Sequence, residues 1–131
     1  LIYYSRTIGK DTVDSIAGGI SHTACTIAKD LNLKSIVTMT QSGGTARMVS
    51  SFRPAANVYA MTTLKTTFRE LSIIWGVIPV LINKYNSADE MPEIAKRKLL
   101  DMKVHSEEEK FIITGGVPVN VPGTTNYISI L

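Results

Sequence analysis

The sequence predicts a three-layer α/β/α sandwich on a mixed five-stranded sheet whose last strand runs antiparallel. Three observations carry that prediction. Short apolar runs, KSIVTM, NVYAMT, VIPVLI and FIIT, alternate with longer amphipathic stretches; strands separated by crossover helices build a parallel sheet with helices on both faces. FIIT and the closing YISIL have about ten residues between them, too few for a parallel crossover, so they should pair antiparallel at an edge. Finally, 131 residues, 44% apolar and 19% charged, make a single domain over 1–131 with chain enough for a real core.

The first helix is expected over 11–31. Asp11 stands at its N-cap and Asp14 three residues on, where a capping box places an acid. Ile16, Ala17, Ile20, Ala24, Ile27, Ala28 and Leu31 follow at helical spacing. Gly18 and Gly19 cost this helix about 1 kcal/mol each in propensity. Either they permit close packing against a neighbour, another subunit included, or the helix is locally weak. Strand 35–39 leads through a loop to a short helix, 45–52, closed by Pro54, which biases Arg53 away from helical geometry.

Strand 57–62 and a second crossover helix, 64–74, come next. Strand 77–82 is too short and apolar for an exposed helix, and Trp75 beside it is expected to anchor the core. A longer helix covers 88–103; Pro92 is tolerated only near a first turn, which sets the start at 88–90. Met91, Ile94, Ala95, Leu99 and Met102 form its apolar face. Lys96, Arg97, Lys98 and Lys103 complement the dipole from a solvated face, while Asp89, Glu90 and Glu93 serve capping. After a turn at 107–109, strands 111–114 and 127–131 complete the sheet around the loop 115–124.

Charge and composition exclude several classes. The net charge is +3 and the basic residues are scattered, so no nucleic-acid footprint is expected. No apolar run approaches the roughly 20 residues that cross a bilayer, so no membrane partner is expected. The opening LIYYSRTIGK places apolar residues before basic ones, unlike a signal peptide, and its first residue is Leu, as in a piece cut from a longer chain. The single cysteine, Cys25, forbids an intrachain disulfide and fits a reducing, cytoplasmic setting. It falls in an apolar helical pattern, as a packed inert thiol does.

In open parallel sheets, ligands settle beyond the carboxyl ends of the strands. Two loops qualify. The first is Thr40-Gln41-Ser42-Gly43-Gly44-Thr45, between a strand and a helix N-terminus. Unpaired N–H groups, two glycines and three hydroxyls make an anion site there, although no Lys follows the glycines as in a Walker loop. The alternative is a glycine-rich turn without a ligand. The second loop contains Gly116, Gly123 and Thr124, and the two meet if the first and fourth strands are neighbours. Catalytic constellations are missing: His22 and His105 have no Cys or carboxylate at metal-ligand spacing, and no G-x-S-x-G elbow occurs.

Several segments in order resemble one family, the C-terminal domain of pyruvate kinase. The stretch from Ala17 to Leu31, through His22, Thr23, Ala24 and Cys25, resembles that domain's opening helix. TQSGGTARMVSSFRP is similar to the family's T-x-S-G-x-T-A-R signature at Thr40, Ser42, Gly43, Thr45, Ala46 and Arg47, then at Phe52, Arg53 and Pro54. FRELSIIWGVIPVL resembles a further segment at Arg69, Leu71, Gly76, Val77 and Pro79, and the ending matches at Gly116, Pro118, Gly123, Thr124, Thr125 and Asn126.

The resemblance implies a parent enzyme that transfers a phosphoryl group from phosphoenolpyruvate to ADP with magnesium and potassium, in a barrel outside this chain. It implies that this domain is regulatory and contacts other subunits of a homotetramer, with no catalytic residue, metal or cofactor of its own. Thr40, Gln41, Ser42, Gly43, Gly44 and Thr45 would then hold an effector phosphate, with Gly116, Gly123 and Thr124 closing the other side. Relatives that respond to fructose bisphosphate often carry Lys at the Gln41 position and an Arg-bearing loop where this chain has Gly116-Val117-Pro118. Without those cations a second phosphate loses its charge pairing, so a sugar monophosphate or nucleotide monophosphate fits as well. A module that binds no effector and only supports assembly is the alternative.

Overall fold

A computed structural model of the chain describes residues 12–115 and 127–131. The elements run α1 (Thr12–Asp30), β1 (Ser35–Met39), α2 (Gly44–Ser51), β2 (Asn57–Thr62), α3 (Lys65–Leu71), β3 (Val77–Leu81), a 3-10 turn (Ala88–Glu90), α4 (Met91–Asp101), β4 (Ile112–Gly115) and β5 (Tyr127–Ile130). The strands form one sheet in the order β3-β2-β1-β4-β5, parallel throughout except for the antiparallel β4–β5 pair. The expected architecture is therefore the observed one, and the expected N-cap Asp11 lies outside the described residues.

Burial follows position in the sheet. β1 is central, and all five of its residues are buried, as a parallel strand covered on both faces requires. β3 is an edge, which is where Pro79 can sit without breaking a ladder, because proline has no N–H to donate. On one face Ala24 and Ala28 of α1, Ala46 and Val49 of α2 and Leu71 of α3 pack on Ile36, Val58, Ala60, Val77 and Ile112. On the other, Met91, Ala95 and Leu99 of α4 pack with Met39, Tyr59, Met61, Tyr85, Phe111 and Ile113.

Each helix stops where the chain turns left-handed or loses helical signal. Asn32, Arg53 and Lys103, just beyond α1, α2 and α4, have φ of 55°, 51° and 60°; this is the usual left-handed cap that satisfies terminal carbonyls. α4 is preceded by a capping box joining Ser87 and Glu90, whose carboxylate accepts the Ser87 N–H at 3.0 Å. α3 ends three residues before its expected 74, because Ile73, Ile74 and Trp75 lead into Gly76 at φ 69°.

Two local expectations need correction. Trp75 is not a core anchor: it is 54% exposed, since Gly76 turns the chain and Leu71 and Val77 fill the core on either side. Ile16 and Leu31 are exposed as well; the face of α1 buried against the sheet is the small-residue one, Ser21, Ala24 and Ala28. At Gly18 a built Cβ would meet no atom within 4 Å, so nothing among the described residues packs closely on that glycine, and a contact with another subunit or a locally weak helix stay as its two readings.

Candidate functional site

β1 is flanked by β2 on one side and β4 on the other, so the chain leaves its carboxyl end where the strand order reverses. Met39, the last residue of β1, is in register with Gly115, the last of β4. The two candidate loops therefore begin side by side at the switch point, as ligand-binding loops do in open α/β sheets. Thr40 to Thr45 are described; Gly116, Gly123 and Thr124 lie outside the described residues.

The 40–45 loop is braced from within. Thr40 is buried, and its Oγ1 accepts the Gly43 N–H at 2.8 Å, so this side chain closes the turn and keeps only its own proton to donate. Gly43 takes φ 87° as the N-cap of α2, where a side chain would be strained. A Cβ there would also stand 3.1 Å from Leu71 Cδ2. Gly44 faces open space, with Ser42 Oγ at 3.5 Å as the nearest atom to a built Cβ. Ser42 is exposed, its Oγ accepting the Gly44 N–H at 3.4 Å. Gln41 is fixed by α3 and its lead-in: its carbonyl accepts from Thr67 Oγ1 at 2.7 Å, and its Oε1 from Thr63 Oγ1 at 3.4 Å. Gln41 is thus oriented by neutral hydroxyls and brings no charge.

The start of α2 lacks what normally finishes a helix. Its N-cap, Gly43, has no side chain to offer, its first turn holds no acid, and the Gly44 N–H reaches the Ser42 hydroxyl only at 3.4 Å; Arg47, whose N–H bonds the Gly43 carbonyl, closes that turn with a cation, against the dipole. A helix start so arranged gains from an anion placed on it, and exposed Gly44 leaves the backbone open to approach, whereas Gly43 is buried with its N–H already bonded to Thr40.

The other titratable groups offer little chemistry. Burial pushes the Cys25 thiol up to about 11, and its Sγ lies 3.8 Å from the Val49 carbonyl oxygen, so it is a protonated packing group at neutral pH. At the opposite end of the sheet, His105 Nε2 lies 2.9 Å from Ser35 Oγ, and its ring meets Phe111 edge-on at 5.7 Å. Burial lowers its pKa, Glu109 opposes that, and Lys34 adds to it. Glu109 is held down to about 2 by hydrogen bonding to Lys34, at 2.7 Å, and to the Ser106 N–H. Among the described residues no cluster of three His, Cys, Asp or Glu could hold a metal, and no helix is long and apolar enough to cross a membrane.

An open, doubly wound domain with a braced glycine and hydroxyl loop at its switch point is the class that fold and site define. The family model described as "Pyruvate kinase, alpha/beta domain" matches residues 19–131. The chain is 39% identical over 121 residues to a pyruvate kinase of Clostridium acetobutylicum, covering 92% of this chain and 25% of that one. It is 36% identical over 126 residues to a pyruvate kinase of Staphylococcus aureus, covering 96% and 21%. Its backbone superposes on Cryptosporidium parvum pyruvate kinase in complex with ADP at a TM-score of 0.78, with 28% identity over 88% of this chain and 23% of that one. The chain belongs to the pyruvate kinase family, as its alpha/beta domain. It spans about a quarter of the length of the relatives it matches.

Proposed function

We propose that this chain is the regulatory and subunit-contact domain of a pyruvate kinase, and that it takes a phosphorylated effector at the 40–45 loop. The parent enzyme would carry out the glycolytic transfer from phosphoenolpyruvate to ADP in the cytoplasm, its magnesium and potassium held by the barrel. The observation that carries the reading is the acid-free start of α2 behind left-handed Gly43, its exposed Gly44 N–H met only at 3.4 Å by Ser42 Oγ, set beside Gly115 at the switch point. Ser42 and Thr45 hydroxyls, the proton of Thr40 and the N–H groups of the first helical turn would hold the phosphate, with Gly116, Gly123 and Thr124 opposite. Because Gln41 supplies no cation, a monophosphate, of a sugar or of a nucleotide, suits the loop. Coupling to activity would act through a difference in effector affinity between two quaternary states.

The experiment is thermal unfolding with fructose 1,6-bisphosphate, ribose 5-phosphate, glucose 6-phosphate, AMP and sulfate, each at millimolar concentration. A ligand at a hundred times its Kd stabilises by about 2.7 kcal/mol, which moves Tm by several degrees at this size. The expected result is a selective rise that Ser42→Ala abolishes, since Ser42 is exposed and its loss spares the fold. No rise with any phosphate would sink the effector reading. A second reading, an assembly module without a ligand, is favoured by the exposure of Ile16 and Leu31 on and beside α1 and of Ile130 on edge strand β5. Sedimentation of the chain as an oligomer with no response to phosphates would support it.

A further inference from the structure

At the end of the sheet remote from the 40–45 loop, a cleft of about 770 Å³ opens between α1 and the α2–β2 connection. That volume lies within the range of small-molecule sites, roughly 300–1,000 Å³. Its walls combine Leu33, Phe52 and the alanines of the connection with Lys29, Lys34 and Arg53, and among the described residues no Asp or Glu lines it. Lys34 is engaged with Glu109 at 2.7 Å, which leaves Lys29 and Arg53 as the cations facing the cleft without a carboxylate partner among the described residues.

Arg53 is held in place. Its backbone is left-handed at φ 51°, and its guanidinium lies over the Trp75 ring, 4.3 Å from the centroid. The Trp75 carbonyl in turn accepts from Ser50 Oγ, which ties the turn carrying the indole to the end of α2. Stacking covers one face of a guanidinium plane and leaves its N–H edge free for a carboxylate or phosphate. The exposure of Trp75 has its explanation here, because a large apolar ring kept out of the core can orient a cation.

We infer that the cleft between α1 and the α2–β2 connection is a second ligand site, taking a small organic anion with an apolar ring, anchored by Arg53 and assisted by Lys29. The anionic group meets the guanidinium edge while the ring lies against Leu33 and Phe52. Opposing this, the carboxyl ends of α1 and α2 both point here and disfavour negative charge. Several of their last carbonyls are already engaged, by the Leu33 N–H on Ala28 at 2.8 Å and the Arg53 N–H on Ser50 at 2.9 Å. The remaining bias means that charge alone does not suffice, and that inorganic phosphate binds far more weakly than an anion bearing a ring.

The test is an amide chemical-shift titration of this chain with phenyl phosphate, benzoate and inorganic phosphate. Saturable shifts are expected at Cys25, Leu33 and Ala56 with phenyl phosphate or benzoate, the tighter of the two naming the anionic group, and none with inorganic phosphate. Arg53→Gln should weaken binding about tenfold or more, the scale of a lost charge-assisted hydrogen bond. Exposed Lys29→Gln, which spares the fold, should weaken it severalfold. Trp75→Ala should loosen binding and Trp75→Phe restore it, as a positioning role requires. Ser42→Ala should change nothing, which separates this site from the 40–45 loop. The inference is overturned if no shift saturates, if the shifts fall only on the loop, or if Arg53→Gln and Lys29→Gln bind phenyl phosphate as well as the parent chain.

Discussion

The two faces of the sheet are made of different material. Between α4 and the sheet meet long side chains, Met91 and Leu99 from the helix with Met39, Tyr59, Met61, Tyr85 and Phe111, which fill volume and adapt to one another. Under α1, α2 and α3 the contacts are short, Ala24, Ala28, Ala46 and Ala60 among them. Here too Ser21, Thr38 and Thr114 bury hydroxyls that have no hydrogen-bond partner among the described residues. Thr38 and Thr114 are register neighbours on β1 and β4, directly below the switch point. Small side chains let helices approach the sheet closely, which holds the start of α2 against the ends of the strands. One face fills its volume with long apolar side chains; the other combines short side chains with those three unpartnered hydroxyls below the loop it carries.

The largest expected effect tests the face of long side chains. Leu99, on the inner face of α4, is fully buried, and Leu99→Ala should cost about 2–5 kcal/mol in urea unfolding. A loss below about 1 kcal/mol would mean that this face is no better packed than the other. Next come the paired glycines on the other face. Gly43→Ala must adopt a left-handed conformation and meet Leu71, for a loss of about 1–3 kcal/mol. Gly44→Ala has open space and should leave stability within about 1 kcal/mol of the parent or raise it. Equal losses at both positions would remove the distinction between brace and opening.

A smaller effect concerns the hydroxyls. Thr38→Val keeps shape and removes an unpartnered group, so the midpoint should hold or rise by the equivalent of about 1 kcal/mol. A loss above that would show that the hydroxyl is satisfied. The smallest is electrostatic, at the far end of the sheet. His105 and Glu109 both titrate lower in the folded chain than in the unfolded one. Each therefore favours the native state above its unfolded pKa, His105 losing its share below about 6.5 and Glu109 between about 4.5 and 2. Glu109→Gln should flatten the lower part of the acid-unfolding curve while leaving the midpoint near pH 7 little changed, as an exposed pair with Lys34 implies.

Much of this is legible in the residues. Strands 35–39 and 57–62 match the observed ones because buried parallel strands read as unbroken apolar runs between turn signals. The antiparallel final pair follows from loop length alone. The place of the 40–45 loop can be read as well, because its glycines and hydroxyls fall between an apolar strand run and a helix start. The internal brace from Thr40 to Gly43 cannot, since three residues that all look like ligands divide their work only in three dimensions. Trp75 is misplaced by sequence because its local run, IIWGV, reads as core, and nothing local reveals that Gly76 turns the ring outward toward Arg53. The stripe on α1 is misjudged for a related reason: periodicity ranks apolar residues above small ones, while close helix–sheet contact selects the small ones.

The position of β1 between β2 and β4 has a kinetic side. The contacts of β1 with β2 link nearby parts of the chain, whereas those with β4 bring Ile36 to Ile112 and Met39 to Gly115. Closing that span carries an entropic cost that nearer pairs avoid, so such pairings form late and slowly. The switch point, and any pocket shared by the loops above it, therefore depends on a pairing that spans most of the described chain. A nascent or partly unfolded chain holding only β1 to β3 would present the bare flank of its central strand, all of whose residues are buried in the native fold, as the stretch most in need of capture by β4.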